Sequence, residues 1–239
     1  MKNNFRLKNK VLVLIPARKG SSRVKNKNIR IIKKKPLIQW TINFAKKIKL
    51  LKDIVISSDS LRVKKICDKN KDVVFIKRPK IFSTNKSGMN EVIIHTLEYL
   101  KKMNKTYDYI VLLQPTSPLR EKKLVENGLS LLKKNKKYGF LYHLSAVQEF
   151  TGIVKNKKEF IPDFPISTRS QDIPKKFVPT GNLFIIKSSL FDKNKSYIKK
   201  NIKYLAMVTK NKQWVNIDYE KDFLLLKSYI KKNPNLLKF

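Results

Sequence analysis

Between residues 10 and 147 the chain alternates short apolar, β-branched runs with longer segments whose apolar residues recur at helical spacing. The runs are KVLVLIP, DIVISSD, DVVFIKRP, YDYIVLLQP and YGFLYHLSAV. Between them, PLIQWTINFAKKIK places Leu37, Thr41, Phe44, Ala45 and Ile48 on one helical face, with Pro36 suited to the first turn. SLRVKKICDKN carries Val63, Ile66 and Cys67 at the same spacing, and NEVIIHTLEYLKKM carries Val92, Ile93, Leu97 and Leu100. SPLREKKLVENGLSLLKKN predicts a fourth helix, with Ser117 as its N-cap and Pro118 at its first position. Strands joined by crossover helices pair in parallel, so this pattern demands a doubly wound α/β sheet covered on both faces. Ligands of such sheets lie beyond the carboxyl ends of the strands. That singles out four loops, 16–28, 57–59, 78–90 and 114–120.

The pattern changes after residue 148. FTGIVKNKKEFIP reads as a hairpin, with Ile153, Val154, Phe160 and Ile161 bracketing the KNKK turn. STRSQDIPKKFVPTGNLFII reads as extended chain punctuated by proline, and IKYLAMVT as a further strand. WVNIDYEKDFLLLKSYI reads as a strand tip entering a last amphipathic helix. No internal repeat or long linker divides the chain, so residues 1–239 are expected to form a single domain. Within it, 148–181 is expected to be a small extended or hairpin insertion that serves as a flap or dimer contact.

Composition narrows the function. The formal net charge is +38, which suits a nucleic-acid-binding protein or a lysine-rich surface on an ordinary one. The lysines are spread over the whole length, and no zinc-finger spacing, RNP-like aromatic motif or arginine-rich segment accompanies them. A field of this sign attracts small anions in either case. One cysteine, Cys67, excludes an intrachain disulfide. The basic N-terminus and the short VLVLIP run imitate a signal peptide, but the run is too brief and charge follows at once. No stretch approaches the ~20 apolar residues of a membrane helix. A cytoplasmic protein with no membrane partner is expected.

The first of the four loops, LIPARKGSSRVKNKNI, sets glycine, serine and cationic side chains at a strand end, a composition that can surround a polyphosphate. It has neither the GxxxxGK[ST] nor the GxGxxG spacing. Its IPARKGSSRVKNKNI portion resembles the signature of the acylneuraminate cytidylyltransferases, and LLQPTSPLR (112–120) is similar to that family's second hallmark. Shorter matches follow in the same order: ISSD at 56–59, RP at 78–79, SQDIP at 170–174, TGNLFI at 180–185 and NIDYEKDF at 216–223. The resemblance implies a Rossmann-like, mostly parallel nucleotidyltransferase fold. It also implies transfer of CMP from CTP to the anomeric hydroxyl of a nonulosonic acid, with Mg²⁺ or Mn²⁺ as cofactor and a homodimer as the assembly.

Carried residue by residue, the resemblance implies that Ala17, Arg18, Gly20, Ser21, Arg23, Lys27, Asn28 and Arg78 bind the nucleotide. Arg18, Lys27 and Asp218 would act on the reacting phosphates, and Gln114, Arg169 and Gln171 would meet the sugar. The family's D-x-D metal pattern falls on Asn216 and Asp218, so one of its two charges is missing. Other departures are Ser22 where the signature has lysine, with Arg23 beside it, Asn85 where an acid is often found, and Thr180 before Gly181. Those around the sugar pocket leave sialic, pseudaminic, legionaminic and Kdo-type acids open. Cys67, His95, His143 and Trp40 read as structural, since two separated histidines and one cysteine make no zinc site.

Overall fold

The computed structural model describes residues 10–20, 23–51, 53–84, 86–191, 202–209 and 214–237. The predicted alternation is present: β1 (Val11–Pro16), α1 (Leu37–Lys46) preceded by the two-residue strands β2 (Ile31–Ile32) and β3 (Lys35–Pro36), β4 (Asp53–Ser58), α2 (Leu61–Asp68), β5 (Val73–Lys77), α3 (Met89–Lys102), β6 (Tyr109–Leu112), α4 (Lys122–Lys134) and β7 (Phe140–Val147). The later elements are β8 (Gly152–Lys155), β9 (Glu159–Pro162), β10 (Lys176–Lys187), β11 (Tyr204–Val208) and α5 (Glu220–Lys232). Seven strands form one sheet in the order β11-β7-β10-β6-β1-β4-β5. β1 pairs in parallel with β4 and β6, β4 with β5, and β7 with β11. Among the described strands of this sheet, only β10 runs against its neighbours, between β6 and β7.

Burial on both faces explains why the central strands read as unbroken apolar runs. Val11, Val13 and Ile15 of β1 pack with apolar residues of α1, α2 and α4. Leu12 and Leu14 face the other way, with Val92, Ile93 and Leu100 of α3. Leu37, Thr41, Phe44, Ala45 and Ile48, the expected apolar face of α1, are all buried. A third cluster joins Trp40, Leu119, Val215 and Ile217 to Phe223, Leu226 and Ile230 of α5. Cys67 is packed, with Sγ 3.4 Å from the Val73 carbonyl oxygen, and burial pushes its thiol up to about 11.

Three local expectations are corrected. The fourth helix begins at Lys122 after Glu121, so Ser117 is not its N-cap. The physical reason is Arg120, which is buried and points its donors at the Asn182 carbonyl (2.8 Å), the Thr41 hydroxyl (3.1 Å) and the Gln114 carbonyl. Those bonds hold 114–120 as a loop. Pro36 lies one residue before α1 with extended dihedrals, paired to Ile31. Residues 214–218, read as a strand tip, join no strand; Val215 and Ile217 are buried by α5 and the 114–120 loop instead. The hairpin forms as read, with β8 and β9 pairing only with each other.

Candidate nucleotide cleft

At the carboxyl ends of the parallel strands lies a cleft of about 400 Å³. Its walls include Pro16, Arg18, Arg23, Lys27 and Asn28 from the loop after β1, Arg78 after β5, Ser87, Gly88, Met89 and Val92 around the start of α3, Gln114 to Thr116 after β6, and Asn216 and Asp218. Among the described residues, its charged wall residues are four cations, Arg18, Arg23, Lys27 and Arg78, and one carboxylate, Asp218. The start of the 14-residue helix α3 faces the same space, adding the positive end of its dipole. A polyanion matches this balance of charge.

Backbone bonds from β4 fix the first wall. Ala17 N–H donates to the Ser57 carbonyl (3.0 Å), and the Ser58 hydroxyl donates to the Ala17 carbonyl. Lys19 N–H donates to Asp59 Oδ1 at 2.6 Å. Asp59 is a loop-organising residue that its short ISSD match alone did not assign a role. A single 3-10 turn, Lys27–Ile29, then turns the chain so that Asn28 Nδ2 reaches the Arg18 carbonyl at 3.1 Å. Arg78 is buried against Ser57, donating from Nε to Oγ (3.2 Å) and from Nη2 to the carbonyl (2.7 Å). Burial is the main cause that lowers its guanidinium to about 10, with Asp59 opposing the shift and Arg18 adding to it. Arg78 therefore stays positive at neutral pH.

The opposite wall centres on Asp218. Lys27 Nζ donates to Asp218 Oδ1 at 3.1 Å and to the Ile217 carbonyl at 2.6 Å. Arg23 Nη2 lies 3.7 Å from the same carboxylate oxygen, and Arg23 Nη1 donates to the Tyr219 hydroxyl at 3.1 Å. The Tyr219 bond and then Asp218 raise the Arg23 guanidinium above its usual range. Asn216 Nδ2 donates to Asp218 Oδ2 at 3.1 Å, while its Oδ1 accepts from Ser117 Oγ at 3.2 Å. Asp222, in the first turn of α5, accepts from the Asp218 and Tyr219 amides, both at 2.7 Å. Gly181, at φ +73°, lies against this corner. A Cβ there would come within 2.6 Å of Ser117 Oγ and 3.2 Å of Asn216 Oδ1, so only glycine fits both the dihedral and the space.

Thus Arg18, Arg23, Lys27, Asn28, Arg78, Gln114, Asn216 and Asp218 come together, although they are spread over 200 positions of sequence. Ala17 does not line the cleft; it is fully buried in the core beneath it. Gly20 is exposed beside it, where a Cβ would meet only Arg18 Nη1, at 4.0 Å. Ser21, with Ser22 and Asn85, lies outside the described residues. Arg169 and Gln171 are on the exposed 148–181 segment and do not line the cleft; Arg169 pairs with Asp172 at 2.7 Å, and the Gln171 carbonyl accepts from Gln148 at 3.0 Å. Sequence reading missed Ser117 as a wall residue's partner, because its position before proline mimics a helix cap.

His143 is fully buried. Its Nδ1 bonds the Thr180 hydroxyl, its Nε2 lies 2.8 Å from the Thr209 hydroxyl, and its ring meets Trp214 edge-on at 4.8 Å. Its role is to bind β7, β10 and the 214–218 segment together.

A cytidylyltransferase family model matches residues 12–172, more than half of the 239 residues. The chain is 25% identical over 92% of its length to an N-acylneuraminate cytidylyltransferase of Escherichia coli O18:K1:H7, and spans 52% of that protein. It is 26% identical to a CMP-N,N'-diacetyllegionaminic acid synthase of Legionella pneumophila, over 95% of this chain and 99% of that one. It is 27% identical to a pseudaminic acid cytidylyltransferase of Campylobacter jejuni, over 73% and 77%. Among solved structures, a CMP:2-keto-3-deoxy-manno-octonic acid synthetase complexed with CTP shares the fold at TM-score 0.63 and 17% identity, covering 93% of this chain and 99% of that one. No described helix is long and apolar enough to cross a membrane. With the family model spanning the strand ends, the cationic loop and the LLQPTSPLR segment, the chain belongs to the cytidylyltransferase family.

Proposed function

We propose that this chain transfers CMP from CTP to the anomeric hydroxyl of a nonulosonic acid of the sialic, legionaminic or pseudaminic type. The hydroxyl oxygen bonds the α-phosphorus, the bond from that phosphorus to the pyrophosphate oxygen breaks, and the hydroxyl proton is released. One observation carries the reading: four cationic side chains and the start of α3 converge on a single cleft at the carboxyl ends of the strands. Such a reaction depends on positioning and on neutralising charge at the phosphates rather than on covalent help from the protein. Arg18, Lys27 and Arg23 hold the triphosphate, Asn28 and Arg78 hold the cytidine side, and Gln114 faces the acid.

Mg²⁺ or Mn²⁺ accompanies the nucleotide in this reading. Among the described residues no group of three or more His, Cys, Asp or Glu side chains is placed to hold a metal. Among those residues Asp218 is the one carboxylate on the cleft wall, with the Asn216 amide beside it. That donor set fits a hard ion that keeps waters and completes its shell with substrate phosphates; it does not fit a cage made by protein alone. When bound, the ion supplies positive charge at the phosphate oxygens.

The assembly we propose is a homodimer formed through 148–181, in the cytoplasm with its nucleotide. Phe150, Ile153, Val154, Phe160, Ile166 and Phe177 are exposed on this segment, an apolar surface that a second copy would cover. Arg169 and Gln171 remain candidates for the acid only through that second copy. The test is pyrophosphate release from CTP and Mg²⁺ with each candidate acid, including a Kdo-type acid. Turnover with one acid is expected, and none with any acid would remove the reading.

A further inference from the structure

Both carboxylate oxygens of Asp218 are engaged by other side chains of the protein. Oδ1 accepts from Lys27 at 3.1 Å and lies 3.7 Å from Arg23, and Oδ2 accepts from Asn216 Nδ2 at 3.1 Å. The Asn216 amide has one workable orientation. A carboxylate only accepts, so turning the amide over would set its carbonyl oxygen against Asp218 Oδ2. The Ser117 hydroxyl, 3.2 Å from Asn216 Oδ1, completes the arrangement. Gly181 packs against both groups with no room for a side chain, and Asp222 fixes the backbone of Asp218. The whole corner is therefore held by protein donors.

We propose that Asn216 is a positioning residue that makes divalent-ion binding at Asp218 conditional on the nucleotide. Lys27 on Oδ1 and Asn216 on Oδ2 are the closed state of Asp218, held by the protein's own donors. When a triphosphate draws Lys27 and Arg23 to itself, Oδ1 is released toward the phosphates while Asn216 keeps Oδ2, so an ion is bound by one carboxylate oxygen and by the nucleotide. The nucleotide half of this rests on the cytidylyltransferase reading; the closed state of Asp218 does not. An aspartate at 216 would instead set two carboxylate oxygens about 3 Å apart, a pair that demands a bridging cation or a proton.

The test uses Mn²⁺ alone, titrated into the full chain and followed by the loss of its free-ion electron paramagnetic resonance signal. The wild type is expected to bind it weakly, Asn216→Asp about 10-fold tighter, and Asp218→Asn no better than wild type. Asn216→Asp should melt lower without metal and recover with Mn²⁺, a response that a merely structural role would not give. If that variant does not fold, Lys27→Met, which frees Oδ1, should also tighten Mn²⁺ binding. Equal Mn²⁺ affinity in wild type and Asn216→Asp, or no gain in Lys27→Met, would overturn the proposal. If the pattern holds while no acid supports pyrophosphate release, the closed Asp218 stands and the cytidylyltransferase activity falls.

Discussion

The loops at the carboxyl ends of β1, β4, β5 and β6 and the segment 148–181, with its β8–β9 hairpin, are fixed differently. The cleft loops bond across the molecule: Ala17 to Ser57, Lys19 to Asp59, Arg78 to Ser57, Arg120 to Asn182 and Ile217 to Thr116. The β8–β9 hairpin bonds chiefly within its own segment, as where the Thr151 hydroxyl and Lys176 Nζ both donate to Asp163 Oδ2, and it turns apolar side chains to solvent. A group that must meet a phosphate within tenths of an ångström needs the first kind of support. A surface that meets another chain tolerates the second.

The largest expected break in this comparison comes from the cleft. Arg18→Ala and Asp218→Ala should each lower kcat/KM about 100-fold or more, with the circular dichroism spectrum unchanged. Retained turnover would mean that the reacting phosphates lie elsewhere. Next, Arg120→Leu should cost about 3 kcal/mol in urea unfolding, because it strands the buried Asn182 carbonyl and the part-buried Gln114 carbonyl. A cost below ~1 kcal/mol would show that the LLQPTSPLR loop is not held by this side chain.

The insertion should respond in the opposite way. Val154 and Ile166 are 63% and 95% exposed, so Val154→Asp with Ile166→Asp should change stability by no more than ~0.5 kcal/mol per substitution. The same pair should weaken self-association about 10-fold, read by sedimentation-equilibrium analytical ultracentrifugation. An unchanged association state would remove this face from the proposed dimer.

The finest comparison uses two turns with the same chemistry. Lys33 and Lys34 join β2 to β3 at φ 44° and 64°, and Asn156 and Lys157 lie in the β8–β9 turn at φ 49° and 59°. Left-handed backbone costs a lysine about 1 kcal/mol relative to glycine. Lys34→Gly should raise global stability by about that amount, since Ile32 is buried and its carbonyl accepts from Trp40 Nε1. Lys157→Gly should slow hydrogen exchange within the hairpin and leave global unfolding unchanged, because the hairpin can open by itself. Equal global gains would make the two regions one cooperative unit.

Much of the fold was legible because the central strands are buried on both faces. Their apolar runs and the four crossover helices could not be read as another architecture, and β10's reversed direction was the part that pattern alone did not show. The cleft loops followed from strand polarity, and the two longer hallmarks marked Arg18, Lys27, Asn28 and Gln114. Local signals failed where a distant group outweighed them. Ser117-Pro118 has the chemistry of a helix start, but Arg120 is drawn to carbonyls of the neighbouring strand and loop. Residues 214–218 have strand-like character, but the Ile217 amide binds the Thr116 carbonyl of a loop rather than a sheet neighbour.

By itself the sequence determined the α/β class, the strand ends at which chemistry is placed, and the excess of cations there, because periodicity, strand order and charge are properties of neighbouring residues. The tertiary structure decided which of those cations face one another. Only folding sets Lys27, Arg23 and Asn216 around Asp218, since they lie up to 195 positions apart in sequence, and hydrogen bonds depend on distance and direction in space rather than on separation along the chain.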